Sequence, residues 1–129
     1  MKIFDGVEDF FTKVNFVDKN NVILGYDMGQ DCCEYADWHI SDREDIPISV
    51  CIDEMKLNKE LDEEEKWIFD TSFHKSNSHP SLDEGGIATF RIINGNKIKY
   101  IHLFNYHNGY YSHGFKFETE QGVILESYL

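Results

Sequence analysis

Apolar and polar positions in this chain fall mostly into short alternating runs broken by Gly, Asn and Asp. The clearest series is in the last third. IATFRII, IKYIHLFNY, YSHGFKFETE and VILESYL are separated by NGNK, HNGY and QG. Runs rich in β-branched and aromatic residues between turn residues predict strands, and their succession predicts an antiparallel meander. Upstream, VNFV and NVILGY flank DKNN at 18–21, the pattern of a hairpin. CCEYADWHI at 32–40 and KWIFDTSFH at 66–74 read as further strands, and ISVCI at 48–52 as a strand or the start of a connection. DEMKLNKELDEEEK reads as a helical turn or exposed loop, and KSNSHPSLDEGG at 75–86 as a loop. Helical spacing occurs once: Val7, Phe10, Phe11 and Val14 follow Asp5, a candidate cap, and predict a helix within 5–14. The expected fold class is α+β, mainly β, with antiparallel hairpins and one or two short helices in a single domain, 1–129.

The stretch NYHNGYYSHGF at 105–115 concentrates candidate chemistry. Asn108-Gly109 suits a two-residue type I′ turn, because both central residues need positive φ. That turn sets Tyr106 opposite Tyr111, Phe104 opposite His113, His102 opposite Phe115 and Tyr100 opposite Phe117. Alternation then gives one face Tyr100, His102, Phe104 and Tyr106 with Tyr111, His113, Phe115 and Phe117. His102 and His113 are diagonal neighbours in this register. Three readings stay open: a core face with two hydrogen-bonded histidines, a partner-binding surface anchored by Tyr106, Tyr110 and Tyr111, or a metal or catalytic site.

The metal reading needs more ligands. Zinc takes about four N, S or O donors, and Cys32 or Cys33 is the nearest supply of a thiolate. Adjacent strand cysteines point to opposite faces, so only one of them joins His102 and His113. Neither C-x-x-C nor H-E-x-x-H is present. A cysteine nucleophile activated by one of these histidines is the related enzymatic alternative. No glycine-rich phosphate loop, G-x-S-x-G or kinase signature occurs.

Composition sets the class. Of 129 residues 41% are hydrophobic and 15% aromatic, enough to fill a core without cross-links. The cysteines number three, with two adjacent, which is not a disulfide framework. No apolar run reaches the roughly 18 residues of a membrane span, and the acid-bearing start MKIFDGVEDFF is unlike a signal peptide. A cytoplasmic location away from membranes is expected.

Charge changes the picture most. The net charge is −12, and residues 31–65 hold 13 acids against 3 bases, a balance of −10. Such a field repels nucleic acid and steers basic partners. The candidate steering set for a partner is Asp37, Trp38, Asp42, Glu44, Asp45 and Asp62, Glu63, Glu64, Glu65.

DCCEYADW and HLFNYHNGYYSHGFKF together resemble a family of small uncharacterised bacterial and phage-encoded proteins, over roughly residues 22–118. The resemblance implies a bacterial or phage source and a compact β-rich domain, and brings no catalytic residue. In size and acidity the chain is also similar to immunity proteins that neutralise bacterial toxins. The expected function is a non-enzymatic module binding a basic protein, such as a toxin or nuclease. The alternatives are a metal- or cysteine-dependent enzyme or sensor on Cys32, Cys33, His102 and His113, with zinc as its cofactor, and a phage-encoded decoy that mimics nucleic acid charge. Edge-to-edge strand pairing into a homodimer is a further expectation.

Overall fold

The computed structural model describes residues 1–8, 11–29, 35–62, 64–78, 85–106 and 113–129. Nine strands are present among them: β1 (Lys2–Glu8), β2 (Phe11–Val17), β3 (Ile23–Asp27), β4 (Tyr35–Ser41), β5 (Ile68–Ser78), β6 (Gly86–Asn94), β7 (Lys97–Tyr106), β8 (Gly114–Thr119) and β9 (Gly122–Tyr128). A four-residue helix α1 (Ile48–Cys51) and a 3₁₀ turn at Glu54–Lys56 lie between β4 and β5. One sheet has the order β1-β2-β3-β8-β9 and the other β4-β7-β6-β5, with all neighbours antiparallel. The mainly-β expectation holds.

The two sheets share one core. Val14, Phe16, Leu24, Tyr26, Phe115 and Phe117 of the first sheet are buried with Trp38, Ile40, Phe90, Ile92, Ile101 and Leu103 of the second. Rings interlock edge to face across the gap. Phe16 meets Trp38 at 5.0 Å and Phe117 meets Phe90 at 5.0 Å and Phe69 at 5.1 Å between centroids. Two polar ties cross as well. The Tyr26 hydroxyl donates to the Phe104 carbonyl at 2.8 Å. Buried Asp18 accepts from the Phe69 N–H at 2.9 Å while its other oxygen accepts from Asn20 and Val22. Asp18 therefore shapes the β2–β3 turn and pins it to the second sheet.

The expected hairpins at 14–26 and at 87–105 form. In the second, Gly95 takes φ +59 at the first turn position, which glycine accommodates without Cβ strain. Three expectations are corrected. The helix within 5–14 is absent: β1 and β2 pair there instead. Its apolar spacing straddles residues 9 and 10, and Val14 follows period two with Phe16, against Lys13 and Asn15. ISVCI, expected as a strand or the start of a connection, supplies α1 in the connection between β4 and β5. The second correction is that β5 runs on to Ser78 through part of the expected loop.

The third correction matters most. β7 and β8 do not pair. Both edges of β7 are taken, by β4 and β6, whereas β8 lies between β3 and β9 in the other sheet. The meander breaks there, and the register placing His102 opposite Phe115 is not formed. Phe115 and Phe117 face the shared core from the side opposite Ile101 and Leu103. The Asn108-Gly109 turn and Tyr110 and Tyr111 lie outside the described residues.

Phe90 is fully buried between Phe115 and Phe117. Phe90→Ala is expected to cost about 3–5 kcal/mol in urea unfolding, while Phe4→Ala, at an exposed position, changes stability by less than about 0.5 kcal/mol.

Candidate functional site

Alternation gives β7 two faces. Ile101, Leu103 and Asn105 point into the shared core, so Tyr100, His102, Phe104 and Tyr106 point away from it. That outer face is nevertheless covered. The acidic connection after β4 folds across it with its apolar side down. Ile46, Ile48, Cys51 and Leu57 pack with Phe104, Tyr35, Ile87 and Tyr106 in a second, smaller cluster. Burial pushes the Cys51 thiol up to about 12. It stays a protonated packing group and not a nucleophile.

Asn58 fixes the far end of this cover to the edge of β4. Its carbonyl accepts from the Ile40 N–H at 2.8 Å and its side-chain amide donates to the Ile40 carbonyl at 3.1 Å. Its own N–H donates to His39 Nδ1 at 2.8 Å, which places the proton of neutral His39 on Nε2. Asp53 caps the 3₁₀ turn by accepting from the Met55 N–H at 3.0 Å.

His102 sits under the near end, fully buried. Nε2 lies 2.8 Å from Ser41 Oγ and 3.1 Å from the Arg43 carbonyl, and Nδ1 lies 3.0 Å from Thr89 Oγ1. A carbonyl only accepts, so Nε2 carries the proton and Nδ1 accepts from Thr89. In this tautomer the nitrogen facing Ser41 cannot take a proton from its hydroxyl, so the pair is not poised as nucleophile and base. The His39 and His102 rings stack at 6.0 Å. Burial, then the neighbouring His39, pushes His102 down to about 4, and burial lowers His39 as well.

Along the acidic connection many carboxylates meet the chain's own bases. Lys59 pairs with Asp37 at 2.5 Å, Lys99 with Asp42 at 3.7 Å and Lys97 with Glu65 at 3.1 Å. Lys75 bridges Asp45 and Glu44, and Arg91 reaches Glu44 at 3.8 Å and Asp70 at 3.4 Å while lying over the Phe73 ring. Lys75 holds Asp45 below the usual carboxylate range, and Lys97 does the same for Glu65. Asp53, Glu54, Glu60, Asp62 and Glu64 have no ion-pair partner among the described residues. Beside Asp53 and Glu54, Ile52 is 55% exposed and Met55 is 88% exposed.

The structure thus brings Asp37, Glu44 and Asp45 to the covered face, in the company of Lys59, Lys75 and Arg91. Asp42 and Glu65 pair instead with Lys99 and Lys97, and Lys99, opposite buried Ile92, lies on the core side of β7. Trp38 points the other way, into the shared core, and is 2% exposed. Tyr106 is half-buried against Phe104. Glu63, Cys32 and Cys33 lie outside the described residues. His113 is in the other sheet, with Nδ1 3.0 Å from the Asp27 carbonyl and its backbone paired with Leu129. It and His102 have different neighbours. No group of three or more His, Cys, Asp or Glu among the described residues is placed to hold a metal ion. Ile52, Met55 and Asn58 were not singled out by the sequence. A lone amide and two apolar residues inside an acidic stretch carry no periodic signal.

No family model, curated protein or solved structure matches the chain.

The two histidines give the stability a sign with pH. Each is held neutral when folded but binds a proton near its ordinary value of about 6.5 when unfolded. Stability is full above that value and falls as pH drops from about 6.5 toward about 4. For His102 the loss is on the order of 3 kcal/mol. Urea midpoints measured across this window are expected to decline in the wild type. His102→Gln, lacking the titrating group, flattens that decline.

Proposed function

We propose that the chain is a non-enzymatic protein-binding module whose acidic connection receives a basic protein, such as a toxin or nuclease that it neutralises. The observation that carries this reading is the pairing of exposed Ile52 and Met55 with unpaired Asp53 and Glu54 on a well-anchored cover. Apolar side chains left outward on an otherwise packed segment are fit to act as anchors. Carboxylates around them raise the rate of encounter with a positive surface and set its specificity.

The ion pairs redistribute the roles. Asp37, Asp42, Glu44, Asp45 and Glu65 are locally balanced by the chain's own cations. Among the described residues of the connection, the uncompensated charge comes from Asp53, Glu54, Glu60, Asp62 and Glu64. A partner thus meets a frame of fixed ion pairs with a free acidic crest.

Low-salt affinity capture from the cells that make the protein, followed by mass spectrometry, is the first test. A basic chain at stoichiometric amounts, released by salt, is expected. Ile52→Asp with Met55→Asp is then expected to weaken its binding by at least about tenfold, or about 1.4 kcal/mol. Asp53→Lys with Glu54→Lys slows association and flattens its salt dependence. Absence of a stoichiometric basic chain, or unchanged binding by both variants, contradicts the proposal. Displacement of the captured chain by DNA favours a charge-mimicking decoy.

A further inference from the structure

The far end of the acidic crest, at Glu60 and Asp62, borders a cleft that Ile52 and Met55 do not line. Between β1 and β4 a cleft of about 580 Å³ is bordered by Asp5, Glu60 and Asp62, with Trp38 and Lys59 in its wall. Asp5 stands opposite core residue Val14 in the β1–β2 register, so it shares the inward side of the sheet, yet it is exposed. An inward-facing charge on an edge strand guards against edge-to-edge pairing. That role accounts for Asp5 alone and leaves the rest of the cleft unexplained.

Three features of the cleft ask for different things. Trp38, in the wall of the cleft, is 2% exposed, and its Nε1–H has no hydrogen-bond partner among the described residues, an unmet donor in a buried place. The Trp38 ring attracts a cation, and Lys59 Nζ lies 5.2 Å from its centre. Lys59 is committed to Asp37, however, at 2.5 Å. Asp5, Glu60 and Asp62 have no ion-pair partner among the described residues. These acids do not form a metal-binding group with one another. What satisfies all three features is a planar cation carried on a peptide: a guanidinium for the ring and carboxylates, and backbone carbonyls for the indole N–H.

We propose that the β1–β4 cleft is the seat of an arginine side chain from the basic partner, taken over the Trp38 ring in the position that Lys59 now occupies, with Asp5 and Asp62 as its counter-charges. Arginine fits better than lysine because its fork meets carboxylates in pairs and its plane stacks on an indole. Ile3 and Leu61, packed against the core beside the cleft, supply apolar walls for the side chain's stem. The inference rests on the basic-partner reading above and adds a site to it. Lys59 becomes an internal stand-in that keeps the ring covered until the partner arrives.

The test is a titration of the ¹⁵N-labelled protein with a capped glycine–arginine peptide at low salt, observed through its indole N–H signals. The chain has two tryptophans, and Trp67, also buried, reports on the fold. The Trp38 signal is expected to move downfield as its N–H gains an acceptor, while the Trp67 signal stays. The same peptide with citrulline in place of arginine is expected to leave both in place. Asp5→Asn with Asp62→Asn weakens the peptide several-fold, and Lys59→Ala tightens it, with an unshifted Trp67 signal certifying each fold. An unmoved Trp38 signal, an equal response to citrulline, full affinity in the doubly neutralised variant, or weaker binding by Lys59→Ala each overturns the inference. The peptide assay does not depend on the partner. Failure here leaves the Ile52–Met55 surface standing, and failure to capture any basic protein leaves this assay readable.

Discussion

β7 is buried on both faces, and only one of them meets the other sheet. That constraint organises the molecule. Ile101 and Leu103 are satisfied by Phe115 and Phe117 across the sandwich, but Phe104 and His102 need a cover that no strand provides. The connection between β4 and β5 supplies it, and can do so only by turning Ile46, Ile48, Cys51 and Leu57 downward. Its acids are left on the outside because the alternative is to bury charge against Phe104. The acidity and the aromatic stretch, far apart in sequence, are the two sides of one packing problem.

Polar groups beneath the cover are arranged to tolerate burial. His102 has partners at both ring nitrogens, and Asn58 uses its backbone and its side chain on the edge of β4. The edge strand is thereby capped, which removes one place where another strand could pair. The lysines and Arg91 perform a related service above. They balance Asp37, Asp42, Glu44, Asp45 and Glu65 within the chain. Exposed pairs of this kind add little stability each; their consequence is to decide which carboxylates remain available to a partner.

Much of this was legible in the sequence and some was not. Alternation in VNFV, NVILGY and IKYIHLFNY is local, so those strands and the two faces of β7 could be read directly. Strand partners are not local. Asn-Gly at 108–109 favours a hairpin whatever lies beyond it, and nothing in 97–117 records that β4 and β6 already flank β7. Val7, Phe10, Phe11 and Val14 mimic a helix because two strands in sequence place apolar residues at mixed spacings. Within the site, the balance of −10 over residues 31–65 was plain, but which acids are neutralised depends on Lys75, Arg91, Lys97 and Lys99, all from distant strands. Trp38 has acidic neighbours in sequence, but its side chain lies on the opposite side of β4 from Asp37.

The central claim is that the acidic connection is a fixed cover, apolar side down, and not a solvated loop. Native-state hydrogen exchange of the Ile40 and Asn58 amides tests it most directly, since both bonds exist only when the cover is seated. The account predicts that the two amides are protected and exchange together, at a rate set by opening of the cover. Fast, unprotected exchange at both, with the β7 amides still protected, would contradict it.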